Sequence, residues 1–568
     1  MDIIEKIYEQ INTVIGNACA VLEDKKEIRF DEPGFVLPIE IEIPKDEKNG
    51  DFSSNIAMKI TKAAKKPPRV LAQMLVDNFD IKDTYIEKVE IAGPGFINFY
   101  LNKNWLYDSL KLADEMGASY GESNVGEGKK VVVEFVSANP TGPMHMGNAR
   151  GGVIGDVLSN ILKKCGYDVT KEFYINDAGA QIEKFKKSLD IRYLQNLKGK
   201  DYIELTEDCY QGEDINEHAK NFIEKYGDKY LDCSEEERRK ALCDYALPIN
   251  IANLKTGLEA YKIHYDVWFK ESTLHSDGEV SQTIDELKKS GLTYEKDGAL
   301  WLKATDFGCE KDEVLIRNNG IPTYFAVDIA YHRNKFEKRG FDKGINVWGA
   351  DHHGHVARMK GALKAINIDP DKLEIIIMQL VRLMRNGEVA RMSKRTGKMI
   401  TLSDLIEEIG VDAARFFFNM RQSESHLDFD LDLAVAQNSD NPVFYVQYAH
   451  ARISSIINAL KEEGITADKA TDTDLSLLKT NEEIELMKKI SALPHELKVC
   501  CELSDPSRIT RYVLDVASDF HSFYNAPECR VKCEDLSLCK ARLFLIKQVK
   551  TVIKNVFDIL GIDAPEKM

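Results

Sequence analysis

Two loops in this sequence hold side chains suited to phosphate chemistry. The first runs Ser137-Ala138-Asn139-Pro140-Thr141-Gly142-Pro143-Met144-His145-Met146-Gly147-Asn148. It precedes a predicted helix, whose N-terminus offers unpaired N–H groups and a positive dipole end to phosphate. Gly147 allows close approach by a flat base or by phosphate. His145 can donate a hydrogen bond to phosphate oxygens as charge builds up. The second loop, Arg391-Met392-Ser393-Lys394-Arg395-Thr396-Gly397, lies far downstream. Its Lys394 ammonium would neutralise developing pyrophosphate charge, which is transition-state stabilisation rather than covalent chemistry. Taken alone, each loop also has a plainer reading: a loop histidine in the first, a solvated basic turn in the second.

The elements around the first loop follow from periodicity. Residues 131–136 are a largely apolar strand run. Val153, Ile154, Val157, Leu158, Ile161 and Leu162 recur at helical spacing, and Gly166 stands where a C-cap is expected. Val169 to Ile175 reads as the next strand. Strand, loop, helix and strand make one βαβ unit and hence a parallel sheet, with ligands expected at the carboxyl ends of its strands. Upstream, Ile39 to Ile43 alternates apolar and acidic residues and ends at Pro44. The Pro67-Pro68 pair breaks any helix, and Gly93-Pro94-Gly95 turns between two strands. Strand-like runs return at Thr323 to Ile329 and Gly344 to Gly349. From about Asp404 onward the pattern is mostly helical, with Tyr445, Tyr448 and Ile453 among the periodic positions.

Composition limits the classes open to the chain. At 568 residues, with 43% hydrophobic and 30% charged residues, it can build several ordinary cores, which excludes a disordered chain or a fibre. The start carries Asp2, Glu5 and Glu9 and lacks a signal-peptide pattern, and no run approaches a bilayer span. A cytoplasmic protein without membrane attachment is expected. The eleven cysteines are scattered, and Cys529, Cys533 and Cys539 do not have zinc spacing. The net charge of −17 argues against nucleic acid as a whole-chain average. Read by segment it does not. Residues 201–217 hold seven acids and no Lys or Arg, whereas 52–76 and 530–554 each carry a net +5.

Together the two loops resemble the HIGH and KMSKS signatures of class I aminoacyl-tRNA synthetases. The words from Ser137 to Arg150, Asn176-Asp177-Ala178-Gly179, Gly349-Ala350-Asp351-His352-His353-Gly354-His355 and Asp412-Ala413-Ala414-Arg415-Phe416 narrow the resemblance to the arginyl-tRNA synthetases. It covers essentially the whole chain. Two departures stand out: Asn148 occupies the last HIGH position, and Arg391-Met392-Ser393-Lys394-Arg395 retains only the second KMSKS lysine.

The resemblance implies a multidomain α/β protein. It implies a small α+β N-terminal domain touching tRNA (1–112), a class I Rossmann-type catalytic domain (113–380) with an inserted segment at about 185–300, a connector with the KMSKS loop (381–441), and an all-helical anticodon-binding domain (442–568). It implies catalytic roles for His145, Gly147, Asn148 and Lys394. ATP contacts are implied for Ala138, Pro140, Thr141, Gly142, Pro143, Met144, Met146, His352, His353, Met392 and Ser393. Glu134, Asn139, Tyr324, Asp328 and Asp351 would hold arginine, whose planar, permanently charged guanidinium calls for acceptors. Tyr324 and Asp328, four apart, share a face in a strand or a helix. Lys62, Lys65, Lys66, Tyr445 and Tyr448 would contact tRNA. The implied substrates are L-arginine, its tRNA and ATP with Mg2+. No protein-bound metal is expected, because His352 and His353 point to opposite faces of an extended segment and His353 and His355 lack a cysteine nearby. A monomer is expected.

Overall fold

The computed structural model describes residues 2–30, 36–390, 400–467 and 469–568. The chain opens with helix α1 (Ile3–Asp24), started by a capping box in which Asp2 and Glu5 satisfy each other's backbone N–H. Its buried stripe, Ile7, Ile11, Val14, Ile15, Ala18 and Leu22, keeps helical spacing. Strands β1 (Ile41–Glu42) and β2 (Phe52–Ser54), helix α2 (Pro68–Val76), strands β3 (Ile86–Ala92) and β4 (Phe96–Leu101) and helix α3 (Asn104–Met116) complete this unit. The sheet is antiparallel in the order β1-β2-β4-β3, with the 93–95 turn joining β3 to β4. Pro68 stands at the first position of α2, where its missing N–H costs nothing.

The central unit follows the predicted βαβ pattern: β5 (Lys130–Glu134), α4 (Gly147–Lys164) and β6 (Asp168–Ile175). Helices α5 (Gly179–Lys198), α6 (Glu213–Tyr226) and α7 (Glu235–Ala260) then build a bundle with its own apolar cluster. The chain returns as β7 (Val267–Lys270) before leaving again for an antiparallel sheet of β8 (Thr293–Lys296), β9 (Ala299–Leu302) and β10 (Glu313–Ile316). Residues 185–300 are therefore not one continuous insertion, because β7 rejoins the main sheet in their midst. Helix α8 (Tyr324–Arg333), β11 (Lys343–Gly349), α9 (His353–Ala365) and β12 (Leu373–Met378) finish the layer. The main sheet runs β12-β11-β5-β6-β7 with every neighbouring pair parallel.

The strand expected over Thr323–Ile329 is instead the first part of α8. Thr323 is its N-cap, accepting from the Ala326 N–H with its side chain. The β-forming Tyr324, Phe325, Val327 and Ile329 favour a strand, but all except Tyr324 bury themselves in a helix packed under α9. Helix α4 sits unusually close to its sheet. A Cβ added to Gly155 would lie 2.2 Å from the Phe135 ring, so a glycine is required there.

Beyond β12, strands β13 (Val381–Arg385) and β14 (Glu388–Val389) form a hairpin through Asn386-Gly387, whose φ angles of 50° and 76° suit a type I′ turn. Helices α10 (Leu402–Ile409) and α11 (Val411–Phe418) and strand β15 (Leu427–Asp430) lead to the terminal bundle of α12 (Pro442–Glu462), α13 (Asn481–Glu502), α14 (Ser507–Asn525) and α15 (Leu536–Leu560). One apolar core runs from α1 through α4 to α15. Among the described residues no helix is long and apolar enough to cross a membrane.

Candidate active site

The site forms where β5 and β11 end side by side and the connections diverge to opposite sides of the sheet. After β5 the backbone turns sharply, with Val136 at φ 68° and Ser137 at φ 41°. A left-handed β-branched residue is a strained choice, and such strain persists where the surroundings enforce it. Here Ser137 is pinned twice. Its hydroxyl donates to Glu134 Oε1 at 3.0 Å and accepts from the Tyr174 N–H at 3.1 Å.

His145 stands exposed at the head of α4, and its Nδ1 accepts from the Gly147 N–H at 3.0 Å. That contact assigns the proton to Nε2, which leaves an N–H donor for a ligand. Partial enclosure by the loop lowers the ring's pKa, so the neutral form prevails at pH 7. Residues 144–146 pair with 400–402: Met146 N–H donates to the Ile400 carbonyl at 3.2 Å, and Leu402 N–H to the Met144 carbonyl at 3.0 Å. Met392, Ser393 and Lys394 lie outside the described residues, yet the segment that follows them is stitched to the His145 loop. Pro140 and Thr141 are buried, and the Pro140 carbonyl accepts from Asn250 of α7. Ala138, Gly142, Met146, Gly147 and Asn148 are half-buried, Met144 is buried, and Asn139 and Pro143 are exposed.

Across the β5–β11 edge, Asp351, His352 and His353 are exposed at the end of β11 and the head of α9. They follow the end of β11, which pairs beside the strand that leads into the His145 loop. His355 has a different place. Its Nε2 lies 2.7 Å from Asp328 Oδ2 and holds that carboxylate. His355, with help from His332 and Lys335, draws the Asp328 pKa down against the effect of burial.

Tyr324 and Asp328 both stand near Glu271, Tyr324 in the lining of one cavity with it and Asp328 close enough to raise its pKa. A cavity of about 390 Å³ is lined by Ala180, Glu271, Ser272, Arg317, Tyr324 and Val327 among others. The Tyr324 hydroxyl accepts from the Ala180 N–H at 3.1 Å. Glu271 is absent from the residues expected of the site, although it follows directly on β7. It is buried and receives the Tyr174 hydroxyl at 3.0 Å and, with its amide turned to satisfy both groups, Asn176 at 3.2 Å. Burial, reinforced by Asp177 and Asp328, raises its pKa to about 7. Asp177 caps the same turn, accepting from the Ser272 N–H and hydroxyl, both at 2.8 Å. A βα boundary at 270–271 is the signal that points to Glu271, but it lies inside the stretch expected to be an insertion.

Glu134 is not an open acceptor. Lys335, itself fully buried, donates to its Oε2 at 2.6 Å and to Asn346 at 3.0 Å. Behind it, Glu172 is held by Arg339 and by the Tyr331 hydroxyl. This layer of paired charges braces the floor of the acidic region.

The basic track is uneven. Lys62, in the one-turn helix Thr61–Ala64, and Lys65, just after it, are exposed, and Lys66 is half-buried ahead of α2. The 530–554 stretch is not a free basic face. Arg542 is buried against Glu483, and Lys532, Lys547, Lys550 and Lys554 pair with Glu463, Asp114, Glu566 and Asp558. Tyr445 and Tyr448 are half-buried beside His521, and Arg452 lies 4.5 Å from the Tyr448 ring centre. Both rings pack within the bundle while keeping an open side.

Comparison with known proteins agrees with this geometry. The family described as tRNA synthetases class I (R), catalytic domain, matches residues 113–454. The arginyl tRNA synthetase N terminal domain matches 5–101, and the DALR anticodon binding domain matches 446–568. An arginine–tRNA ligase of Acetivibrio thermocellus is 58% identical over 568 residues, all of both chains. That of Caldanaerobacter subterraneus is 57% identical over 569 residues, again all of both chains. The Thermus thermophilus arginyl-tRNA synthetase structure shares the fold with a TM-score of 0.74 at 21% identity, covering 98% of this chain and 100% of that one. With the N-terminal unit, the parallel-sheet unit and the terminal bundle each matched, and relatives aligned along the full length, the chain belongs to the arginyl-tRNA synthetase family.

Proposed function

We propose that the cavity lined by Glu271 and Tyr324, past the carboxyl end of β7, is where arginine is selected and activated, so that the chain joins L-arginine to its tRNA at the expense of ATP. The observation that carries this reading is the grouping of Glu271 with Tyr324 and Asp328 at the carboxyl edge of the sheet, where Tyr174 links it to the start of the HIGH loop, its hydroxyl on Glu271 and its N–H on Ser137. Carboxylates and a phenol in a partly closed, acidic region suit a planar cation with five donors. Exposed Asn139 would meet the α-amino and carboxylate end, and the paired Glu134 would fix the floor.

In the first step the arginine carboxylate oxygen attacks the α-phosphorus of ATP in line, and the bond to the bridging oxygen breaks to release pyrophosphate. His145 Nε2–H would hydrogen-bond the phosphate oxygens that gain charge, with Lys394 as the matching cation. His352 and His353 follow the neighbouring strand β11 and would border the nucleoside. In the second step a hydroxyl of the terminal tRNA adenosine attacks the carbonyl carbon, and AMP leaves. Magnesium would accompany the ATP phosphates, which supply oxygen ligands of the kind it prefers. We expect a monomer acting in the cytoplasm, with tRNA required for the first step.

The test is ATP–pyrophosphate exchange with arginine, with and without tRNA. Exchange that depends on both is expected. Equal rates without tRNA would remove the tRNA requirement, and no arginine-dependent exchange at all would remove the reading.

The N-terminal contribution has its own test. Replacing Lys62, Lys65 and Lys66 together by Ala should weaken tRNA binding and flatten its dependence on log salt by about 0.7–0.9 for each phosphate no longer neutralised. Filter binding across a salt series checks this. An unchanged slope would mean that tRNA does not cross this turn.

A further inference from the structure

The Asp412–Phe416 word resembles the family, yet none of its side chains reaches the acidic cavity or the His145 loop. Its arginine is nonetheless heavily engaged. Arg415 sits in α11, entirely buried, and its guanidinium joins three parts of the chain. Nε donates to the Leu560 carbonyl at the end of α15 at 2.6 Å. One terminal nitrogen donates to the Tyr261 carbonyl at 3.0 Å, and the other to Asp156 Oδ2 of α4 at 2.5 Å. Asp156 is itself buried, and its other oxygen takes Lys171 at 2.6 Å.

Lys171 also donates to Asn160 of α4, and the Asn160 amide donates to the Ile559 carbonyl at 2.9 Å. The last two carbonyls of α15 are thus both held from α4, one through Asn160 and one through the Arg415–Asp156 pair. Carbonyls at a helix C-terminus lack intrahelical partners and carry partial negative charge, so a guanidinium is a strong cap there. Gly561, at φ 67°, makes room for it. A Cβ at that position would lie 2.6 Å from a terminal nitrogen of Arg415. Outside this knot a second ring repeats the connection: Lys262 bonds Asp412 and Asp563, and Gln447 of α12 bonds Asp412.

Helix α4 begins at Gly147, so its start is the HIGH loop. We propose that Arg415 is a positioning residue for the adenylate-forming site: it locks the end of α15 to α4, so that the seating of the helical C-terminal bundle sets the placement of His145 and Gly147. The inference rests on the function proposed above. RNA held by the bundle and the amino acid held at the sheet are coupled through one rigid path, and the coupling is a free energy that substitution can reduce without touching either ligand. Arg415 is not a catalytic residue, since Asp156 and the helix stand between it and the loop.

The experiment compares full-length wild type with Arg415→Lys, Asn160→Ala and Gly561→Ala. Each is first checked by circular dichroism and thermal unfolding. Arg415→Lys keeps the charge against Asp156 but cannot span the carbonyls. Gly561→Ala leaves every charged group in place, crowds the guanidinium and also strains the left-handed backbone at φ 67°, so its folded fraction is measured beside its activity. Asn160→Ala is the mildest and guards against misfolding in the other two.

The readouts are tRNA affinity, and kcat and KM for exchange over a tRNA titration. For folded Arg415→Lys, kcat at saturating tRNA should fall about tenfold, within the range for substitutions along a path that couples two sites. The Kd for tRNA and the KM for arginine should stay within about twofold, as expected when neither binding surface is altered. Gly561→Ala should move the same parameter in the same direction, and Asn160→Ala less so. A fall in activity that merely tracks the unfolded fraction, or a fall in tRNA affinity that accounts for the whole effect, would overturn the proposal. So would wild-type kcat in folded Asn160→Ala and Gly561→Ala. If wild type itself shows no arginine-dependent exchange, it is the proposed function that fails, and this inference falls with it.

Discussion

Glu271→Gln should lower kcat/KM for arginine by about a hundred- to a thousandfold, the range seen when one partner of a buried, hydrogen-bonded charge pair is truncated. The change should fall mainly on KM for arginine and leave KM for ATP nearly unaltered. The glutamine amide keeps the shape of the side chain and can still take the Tyr174 hydroxyl, so the loss reads the charge. The wild-type pH profile carries the same information. Burial and the neighbouring Asp177 and Asp328 hold Glu271 at a pKa of about 7. A guanidinium stabilises the ionised form, so binding arginine below pH 7 must expel a proton. The apparent affinity should then fall by up to about tenfold for each pH unit below 7 and level off above it. In Glu271→Gln that limb should disappear. The sign for stability is opposite to the usual one for acids. Between its unfolded value and 7 the native protein holds a proton that the unfolded chain has released, so this group's contribution to stability declines as pH rises through that window. Arginine titrations by calorimetry at pH 6, 7 and 8 would settle it. Equal affinities at all three, together with a mild Glu271→Gln phenotype, would remove Glu271 from the site.

That residue also marks where the sequence ceases to be legible. The β5–α4–β6 unit and the terminal helices rest on local periodicity, and the structure has them where periodicity puts them. Each signature loop is a single unbroken stretch of sequence, so the acid and cation candidates beside it can be named. Glu271 depends on something else: a four-residue strand, β7, returning to the main sheet after a long helical excursion. So short a strand has no period to detect, and the pairing that creates it is with β6, far upstream. The α8 segment fails for a related reason. Its β-branched and aromatic residues favour a strand locally, and only the Thr323 cap and burial against α9 decide for a helix. Charge misleads in a third way. The count over 530–554 is correct, but Arg542 and Lys547 meet acids brought from α13 and α3, which no count along the chain can see. Glu134 likewise reads as an open carboxylate until Lys335, far downstream, is folded onto it.

His145→Ala should act on the other kinetic parameter. Arginine-dependent exchange should lose about 10²–10³ in kcat, the usual result of removing one donor aimed at charge that develops in the transition state. KM for arginine should hardly change, because His145 is not among the residues that line the cavity of Glu271 and Tyr324. Stability should also hold, since His145 is exposed and its Nδ1 takes only the Gly147 N–H at the start of α4. The orientation of that bond gives the prediction its force. With Nδ1 accepting, the free proton must be on Nε2, and the lowered pKa keeps the ring neutral, so it serves as a hydrogen-bond donor rather than as a standing charge. A standing cation would bind ATP in the ground state and raise KM for ATP when lost. A neutral donor that meets its acceptor as pyrophosphate departs should lower kcat instead. His145→Gln offers an amide N–H on a side chain of similar reach and should recover part of the rate. Steady-state exchange over an ATP series separates the cases. A raised KM for ATP with kcat intact would make His145 a binding group, and its role in stabilising the developing charge would have to be reassigned to Lys394.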